Sequence, residues 1–370
     1  MDKSKVYFTN LRTKPGQSLL QKLENLIKAA GIDKIDFENK FTAIKMHLGE
    51  PGNLAFIRPN YVATIVKYIN SKGGKVFVTD SNTLYTGRRA NAIDHLTAAA
   101  ENGFSPVTIG CNVIIADGIK GTDYREIEIN LKHCKTAKIG SAIADADIII
   151  SMTHFKGHEM TGFGGTLKNL GMGSGSRGGK LEMHSASKPI IKEKNCVSCG
   201  MCVKSCSQGA ISFNSNKKAS IDYDKCVGCG QCVAVCQFNA AMVKWNESAD
   251  SAIEKISEYA YAAIKGKPSF HISFIMNVSP DCDCFGNNDM PIIADIGIAA
   301  SFDPIALDKA SVDLVNKAPV IHGSCIDDSY YVVDDDKFNH IHPDTNWKQG
   351  LEHGESIGLG SQKYELIEVK

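Results

Sequence analysis

Eight of the thirteen cysteines in this 370-residue chain fall into two segments of one design. Cys196, Cys199, Cys202 and Cys206 stand at C-x2-C-x2-C-x3-C spacing, and Cys226, Cys229, Cys232 and Cys236 repeat it thirty residues later. Three thiolates in so tight a loop reach three irons of one cube, while the fourth, carried onto the following helical turn, points at another cube. The spacing therefore predicts two [4Fe–4S] clusters. One would rest on Cys196, Cys199, Cys202 and Cys236, the other on Cys226, Cys229, Cys232 and Cys206. Gly200 and Gly230 let the backbone come close to the sulfides. Zinc more often takes two separated C-x2-C pairs, so four cysteines within eleven residues, duplicated, suit it poorly.

This is the spacing of bacterial two-cluster ferredoxins, and the segment resembles their module. Ser207 and Gln237 stand where that run usually has proline, which changes the local turn rather than the ligation. The extended pieces 211–213 and 241–245 are expected to pair as the small sheet of the module.

A second set of reactive side chains lies outside this segment. His154 and His158 have four-residue spacing, but Gly157 and a preceding extended run make the stretch a loop, so the spacing alone does not make them a metal pair. The 161–179 stretch carries eight glycines with Lys168, Asn169 and Arg177. Amides at a Gly-rich turn leading into a helix can hold an anion, which marks Gly162, Gly164, Gly165 and Arg177 as candidate cofactor-binding residues. A mobile surface loop is the plainer alternative. Lys180 follows two glycines, but Leu181 replaces the Ser/Thr of a Walker loop, and no nicotinamide or flavin fingerprint is visible. Cys282 and Cys284 flank Asp283, lie on one side of an extended chain, and would hold a soft metal or exchange electrons. Asp281 and Asp283 would raise the thiol pKa values, which favours the metal. Cys111, Cys134 and Cys325 look like isolated small hydrophobes.

The elements that must carry these groups are legible on both sides of the cysteine-rich segment. Helical patterns at 18–30, 61–71 (with Asn60 as its N-cap) and 88–102 alternate with extended runs at 41–47, 54–57, 75–79, 113–116 and 147–151. After the segment come a helix at 252–264, extended runs at 271–278 and 292–294, and a helix at 304–316. Such alternation predicts an α/β class: a mostly parallel, Rossmann-like sheet buried on both faces. A small ferredoxin-like α+β module would interrupt it, giving 1–188 and 247–370 as two parts of one domain and 189–246 as the module. In such sheets ligands sit where loops leave the carboxyl ends of the strands. That places the loops at 58–60, 80–82, 153–158 and 281–284 on one rim.

Composition excludes several classes. Lys plus Arg and Asp plus Glu balance at 41 each, so no global field steers nucleic acid or an anionic membrane toward the chain. No run approaches a membrane span and the N-terminus does not read as a signal peptide, so a cytoplasmic location is expected. Thirteen cysteines there suggest metal more than disulfides. Composition does not reveal the oligomeric state.

The stretch Phe155-Lys156-Gly157-His158-Glu159-Met160-Thr161-Gly162-Phe163-Gly164-Gly165-Thr166-Leu167-Lys168-Asn169-Leu170 resembles the signature of the domain-of-unknown-function 362 family. Asp281-Cys282-Asp283-Cys284 and the run from Asp295-Ile296-Gly297 to Asp303-Pro304-Ile305-Ala306 match its C-terminal pattern. The resemblance implies a shared α/β fold and marks Lys156, His158, Lys168, Asn169, Cys282 and Cys284; some members carry a two-cluster ferredoxin module. It supplies no reaction. The residues themselves suggest that Lys156, His158, Lys168 and Asn169 handle a small anionic or carbonyl-bearing substrate, with His158 supplying a proton near neutral pH. The expected function is electron passage from the clusters to a substrate or second cofactor at the rim. The alternative is an electron-transfer protein that serves a redox partner protein and catalyses nothing.

Overall fold

Seven strands pointing one way and one pointing back make the central sheet of the computed structural model. Residues 3–85, 87–184, 188–206, 208–226, 231–238, 240–242, 249–326 and 335–370 are described here; Cys229 and Gly230 lie outside them. Across the sheet the order is Tyr364–Glu368, Ser4–Asn10, Gly297–Ser301, Ser269–Ile275, Ile148–His154, Phe41–Lys45, Lys75–Asp80 and Asn112–Ile115. Gly297–Ser301 is the antiparallel member. The class is α/β with a mostly parallel sheet.

The middle strand, Ile148–His154, is buried along its whole length, as a strand covered on both faces must be. Its side chains alternate between two cores. Ile149, with Ala43 of the next strand, faces Leu170, Tyr259 and Val312 on the helices Thr166–Ser174, Ala249–Ile264 and Pro304–Lys317. Ile148 and Ile150, with Ile44, face Leu26 and Ile65 on the helices Leu19–Ala29 and Pro59–Ser71. The period-2 geometry of a strand thus converts one apolar run into the two interfaces of an α/β/α sandwich. No helix among the described residues is long and apolar enough to cross a membrane.

Several local expectations need correction. Residues 54–57 form no strand, because Asn53 and Asn288 take up their amides at Ala55 and Leu54 and turn the chain. The following helix begins at Pro59 with Arg58 as its cap, not Asn60, since proline needs no amide partner at a first helical position. At 292–294 only an isolated bridge from Ile293 to Val320 forms, whereas Gly297–Ser301 is a strand. A Cβ at Gly297 would lie 2.2 Å from the Thr9 carbonyl oxygen, so glycine admits the neighbouring strand. In the cysteine-rich segment Ile211–Phe213 pairs with Ala219–Ile221, and Ala241–Met242 pairs with Ile190–Ile191, so the expected partners do not pair among the described residues; 243–245 lie outside these.

Candidate functional site

From Phe41–Lys45 the chain winds one way across the sheet, and from Ile148–His154 it winds the other way. These two strands are neighbours, so the topological switch lies between Lys45 and His154, where open α/β sheets have their crevice. Asn169 bridges the gap. Its amide nitrogen donates to the carbonyls of Lys45 (3.1 Å) and Met152 (3.2 Å) and to Thr153 Oγ1 (3.0 Å). Above it opens a cavity of about 510 Å³, within the range of small-molecule sites.

Charged groups of both signs surround this cavity. Lys45 Nζ lies 2.9 Å from Asp80 Oδ1 and donates to Asn169 Oδ1 at 2.9 Å. Burial pushes the Asp80 carboxyl up, but Lys45 beside it wins, with other cationic neighbours, and holds it well below the usual range. Arg89 Nε donates to Glu50 Oε2 at 2.6 Å and its Nη1 lies 3.7 Å from Asp80. Across the cavity Asp283 accepts from His154 Nδ1 (2.8 Å) and pairs with Lys156 Nζ (2.9 Å). Burial opposes the Asp283 charge, but these two partners outweigh it and keep the carboxyl ionised.

Two histidines present neutral N–H groups. His158 Nδ1 accepts the amides of Met160 and Thr161, both at 3.1 Å, so the ring proton resides on Nε2. Burial, then Lys168 and Lys156, holds its pKa well below the usual value. His47 follows the same logic: Nδ1 accepts from Gly49 N at 3.0 Å, and Nε2 is buried with no hydrogen-bond partner among the described residues. Burial, then Arg89, keeps it neutral. Lys168 titrates near neutrality, because burial and then Lys156 push its pKa down to about 7. The expectation that His158 supplies a proton is therefore corrected: Lys168 is suited to that, and His158 to donating a hydrogen bond.

Lys156, His158, Lys168, Asn169, Cys282 and Cys284 all line this one cavity. Gly157, between Lys156 and His158, lets residues 279–280 cross: a Cβ there would lie 1.8 Å from the Pro280 carbonyl oxygen. The thiol expectation also changes. Asp283 turns to His154 and Lys156, and Asp281 is half-exposed toward His342, while Lys168 Nζ donates to Cys282 Sγ at 3.0 Å. The sulfurs of Cys282 and Cys284 lie against each other. Among the described residues, His158, Cys282 and Cys284 bring three metal-type donor atoms within 4.8 Å of one another. His154, held by Asp283 and the Met276 carbonyl, does not join His158 as a ligand pair.

The Gly-rich turn is filled from within the protein, which corrects the expected anion cradle. Asp308 Oδ1 and Oδ2 accept the amides of Thr166 (2.6 Å) and Leu167 (2.9 Å), and a Cβ at Gly165 would lie 2.5 Å from Asp308. Gly162 and Gly164 belong to a short hairpin with Lys156–His158, and Arg177 reaches the Leu84 carbonyl. Of these four only Gly165 borders the cavity. Sequence reasoning missed Lys45, His47, Arg89, Lys180 and His184, all of which line it. The one available signal was Lys45, a lysine ending a buried apolar strand.

The cysteine-rich segment builds its own small core from Cys196, Cys232, Ile211 and Val233, with Cys202, Cys206, Cys226 and Cys236 packed against it. A separate small cavity is lined by Cys196, Cys199, Cys202 and Cys236, the crossed set. Burial, then the neighbouring Cys236, raises the Cys202 thiol. Backbone amides donate to the sulfurs of Cys196, Cys206 and Cys236 at 3.3–3.4 Å, as they do where thiolates carry iron. Four cysteines around one cavity, two of them with a backbone amide on the sulfur, fit a thiolate-held cluster. Cys111 and Cys134 pack against the two main cores and Cys325 is exposed.

No curated protein matches the chain. Among solved structures, the lactate racemase apoprotein from Thermoanaerobacterium thermosaccharolyticum is similar at 13% identity and a TM-score of 0.41, over 85% of this chain and 58% of that one. A Thermotoga maritima protein is similar at 11% identity and a TM-score of 0.39, over 79% of this chain and 57% of that one. The chain thus spans under two thirds of either structure. The family model described as Domain of unknown function (DUF362) matches residues 42–313, well over half of the sequence, and the chain belongs to that family.

Proposed function

We propose that this chain is an iron–sulfur oxidoreductase that passes electrons from two [4Fe–4S] clusters to a small anionic or carbonyl-bearing substrate in the cavity at the sheet rim. Cys196, Cys199, Cys202 and Cys236 would hold one cluster. Cys206, Cys226 and Cys232 would hold the other together with Cys229, which lies outside the described residues. When bound, such clusters supply low-potential, one-electron reducing equivalents.

The observation that carries the reading is the convergence of the four crossed cysteines on one cavity. The placement of that segment adds to it. Its core also contains Leu84 and Leu181, and the helix Arg177–His184 packs against the helix Gln231–Val235. Leu84, Lys180 and His184 of the same elements line the large cavity, so the two regions share a wall.

The residues of the large cavity divide the remaining work. His47 Nε2–H and His158 Nε2–H are neutral donors suited to a substrate oxygen, since each ring has committed Nδ1 to backbone amides. Lys168 can deliver a proton at neutral pH and recover it from water. Lys156 and Lys45 each pair with a carboxylate, Asp283 and Asp80, so neither stands in the cavity as a bare buried cation.

The test is anaerobic reduction of full-length protein followed by a panel of small 2-oxo acids and carboxylates, with visible absorbance reporting reoxidation. A substrate that reoxidises the wild type at least tenfold faster than a Lys168→Met variant with intact absorbance supports the reading. Equal rates for all compounds, with rapid reoxidation only by a partner protein, establish the carrier alternative.

A further inference from the structure

We propose that Cys282 and Cys284 form a dithiol–disulfide couple inside the cavity, a two-electron thiol-exchange site rather than a metal site. The inference deepens the preceding reading, and its place in an electron path rests on that reading; the couple itself stands on the local geometry. The two Sγ atoms face each other and the Cα atoms are 5.2 Å apart, a separation that a disulfide spans without backbone movement.

The two sulfurs have different surroundings. Cys282 is buried, and its Sγ accepts from Lys168 Nζ at 3.0 Å and from the Cys284 amide at 3.3 Å. Cys284 is partly exposed on the cavity wall beside Phe285. The intervening Asp283 is turned toward His154 and Lys156, so its charge is neutralised away from the sulfurs. A cation beside a sulfur stabilises the thiolate that leaves when a disulfide opens. Cys282 is therefore the leaving and re-attacking sulfur, and Cys284 the one exposed to exchange.

The exchange balances with a dithiol as reductant. One thiolate of the reductant attacks Cys284 Sγ, the S–S bond breaks, and its electron pair goes to Cys282 Sγ beside Lys168. The second thiol of the reductant, as thiolate, then attacks its own mixed-disulfide sulfur and releases Cys284 as a thiolate, which takes a proton. Two electrons pass to the cysteine pair, and the reductant departs as its disulfide. Of the two protons that the reductant gives up, one goes to Cys284 and the other to solvent, Cys282 staying a thiolate beside Lys168.

The competing occupant is a soft metal held by Cys282, Cys284 and His158. Two features argue against it. His158 would have to lose the Nε2 proton that its two amide donors impose, and Lys168 Nζ already donates at 3.0 Å to the sulfur that a metal would need.

The experiment equilibrates anaerobic full-length protein with dithiothreitol at graded ratios of reduced to oxidised form, quenches with acid, and alkylates with N-ethylmaleimide. Mass spectrometry then reads the peptide that carries both cysteines. The couple predicts one reversible step from unlabelled to doubly labelled peptide. It also predicts single labelling at every ratio in Cys282→Ser, and at least a fivefold slower reduction in Lys168→Gln. Double labelling at all ratios overturns the couple. So does a stoichiometric metal that is lost in both Cys282→Ser and Cys284→Ser. The peptide readout does not involve iron: an iron-free protein with a working couple defeats only the cluster reading, and an iron-loaded one without it defeats only the couple.

Discussion

Replacing Asp308 by asparagine tests how the helix that carries Lys168 and Asn169 is held in place. Asp308 is fully buried and receives the first two amides of that helix. Burial raises its pKa from 3.8 to about 6, against the lowering effect of those amides. A carboxyl with a raised folded-state pKa contributes stability at low pH, present in full below its unfolded value and lost as pH rises through about 6. Integrated between pH 7.5 and pH 5, this contribution is about 1.4 kcal/mol in favour of the wild type at the lower pH. Asparagine cannot titrate, and it turns an amino group toward one of the two amides, leaving a buried donor unsatisfied at a cost of about 1–3 kcal/mol. Relief of the buried charge offsets that cost near pH 7.5, so Asp308→Asn is expected to be close to neutral there. At pH 5 it should be destabilised by a further ~1.4 kcal/mol relative to the wild type. Urea unfolding of both proteins at the two pH values, followed by far-ultraviolet circular dichroism, measures the difference. A destabilisation that is independent of pH, or larger at pH 7.5, refutes the reasoning.

Lys45→Met removes the cation nearest to buried Asp80, leaving Arg89 at 3.7 Å, and frees Asn169 Oδ1; it should cost about 3–5 kcal/mol. At about 2.1 cal/mol/K per residue that is a fall of roughly 4–6 °C in Tm, read by calorimetry; an unchanged Tm would mean that the pair adds nothing. Because Ile190–Ile191 and Ala241–Met242 pair antiparallel, residues 192–240 can be replaced by a short Gly/Ser turn across them. The product should be a folded, iron-free α/β protein, somewhat destabilised by the uncovering of Leu84 and Leu181. Loss of its cooperative melt would make the segment part of the main core.

The sheet was legible because its strands are buried on both faces, which forces apolar runs such as Ile148–His154 between helices with amphipathic spacing. Less legible was whatever depends on partners distant in sequence. Nothing near Gly165 reveals that Asp308, 142 residues beyond Thr166, fills its turn. The neighbours of Cys282 along the chain are acids, whereas its neighbour in space is Lys168. His158 looked like a proton donor until the amides of Met160 and Thr161 and its burial defined a neutral tautomer. Lys45 was missed because it is a single charge at the end of a run whose pattern is otherwise structural. The cysteines were the opposite case, since their chemistry is written into local spacing.

The central claim is that the cysteine-rich segment holds two crossed iron–sulfur clusters, and iron and acid-labile sulfide analysis of anaerobically purified protein tests it most directly. The account predicts about eight of each per chain. In Cys236→Ser it predicts loss of about half, with Mössbauer spectra showing that the surviving cluster is the one that Cys206→Ser removes. Stoichiometric zinc with little iron would contradict the claim, and so would a single cluster lost in both variants.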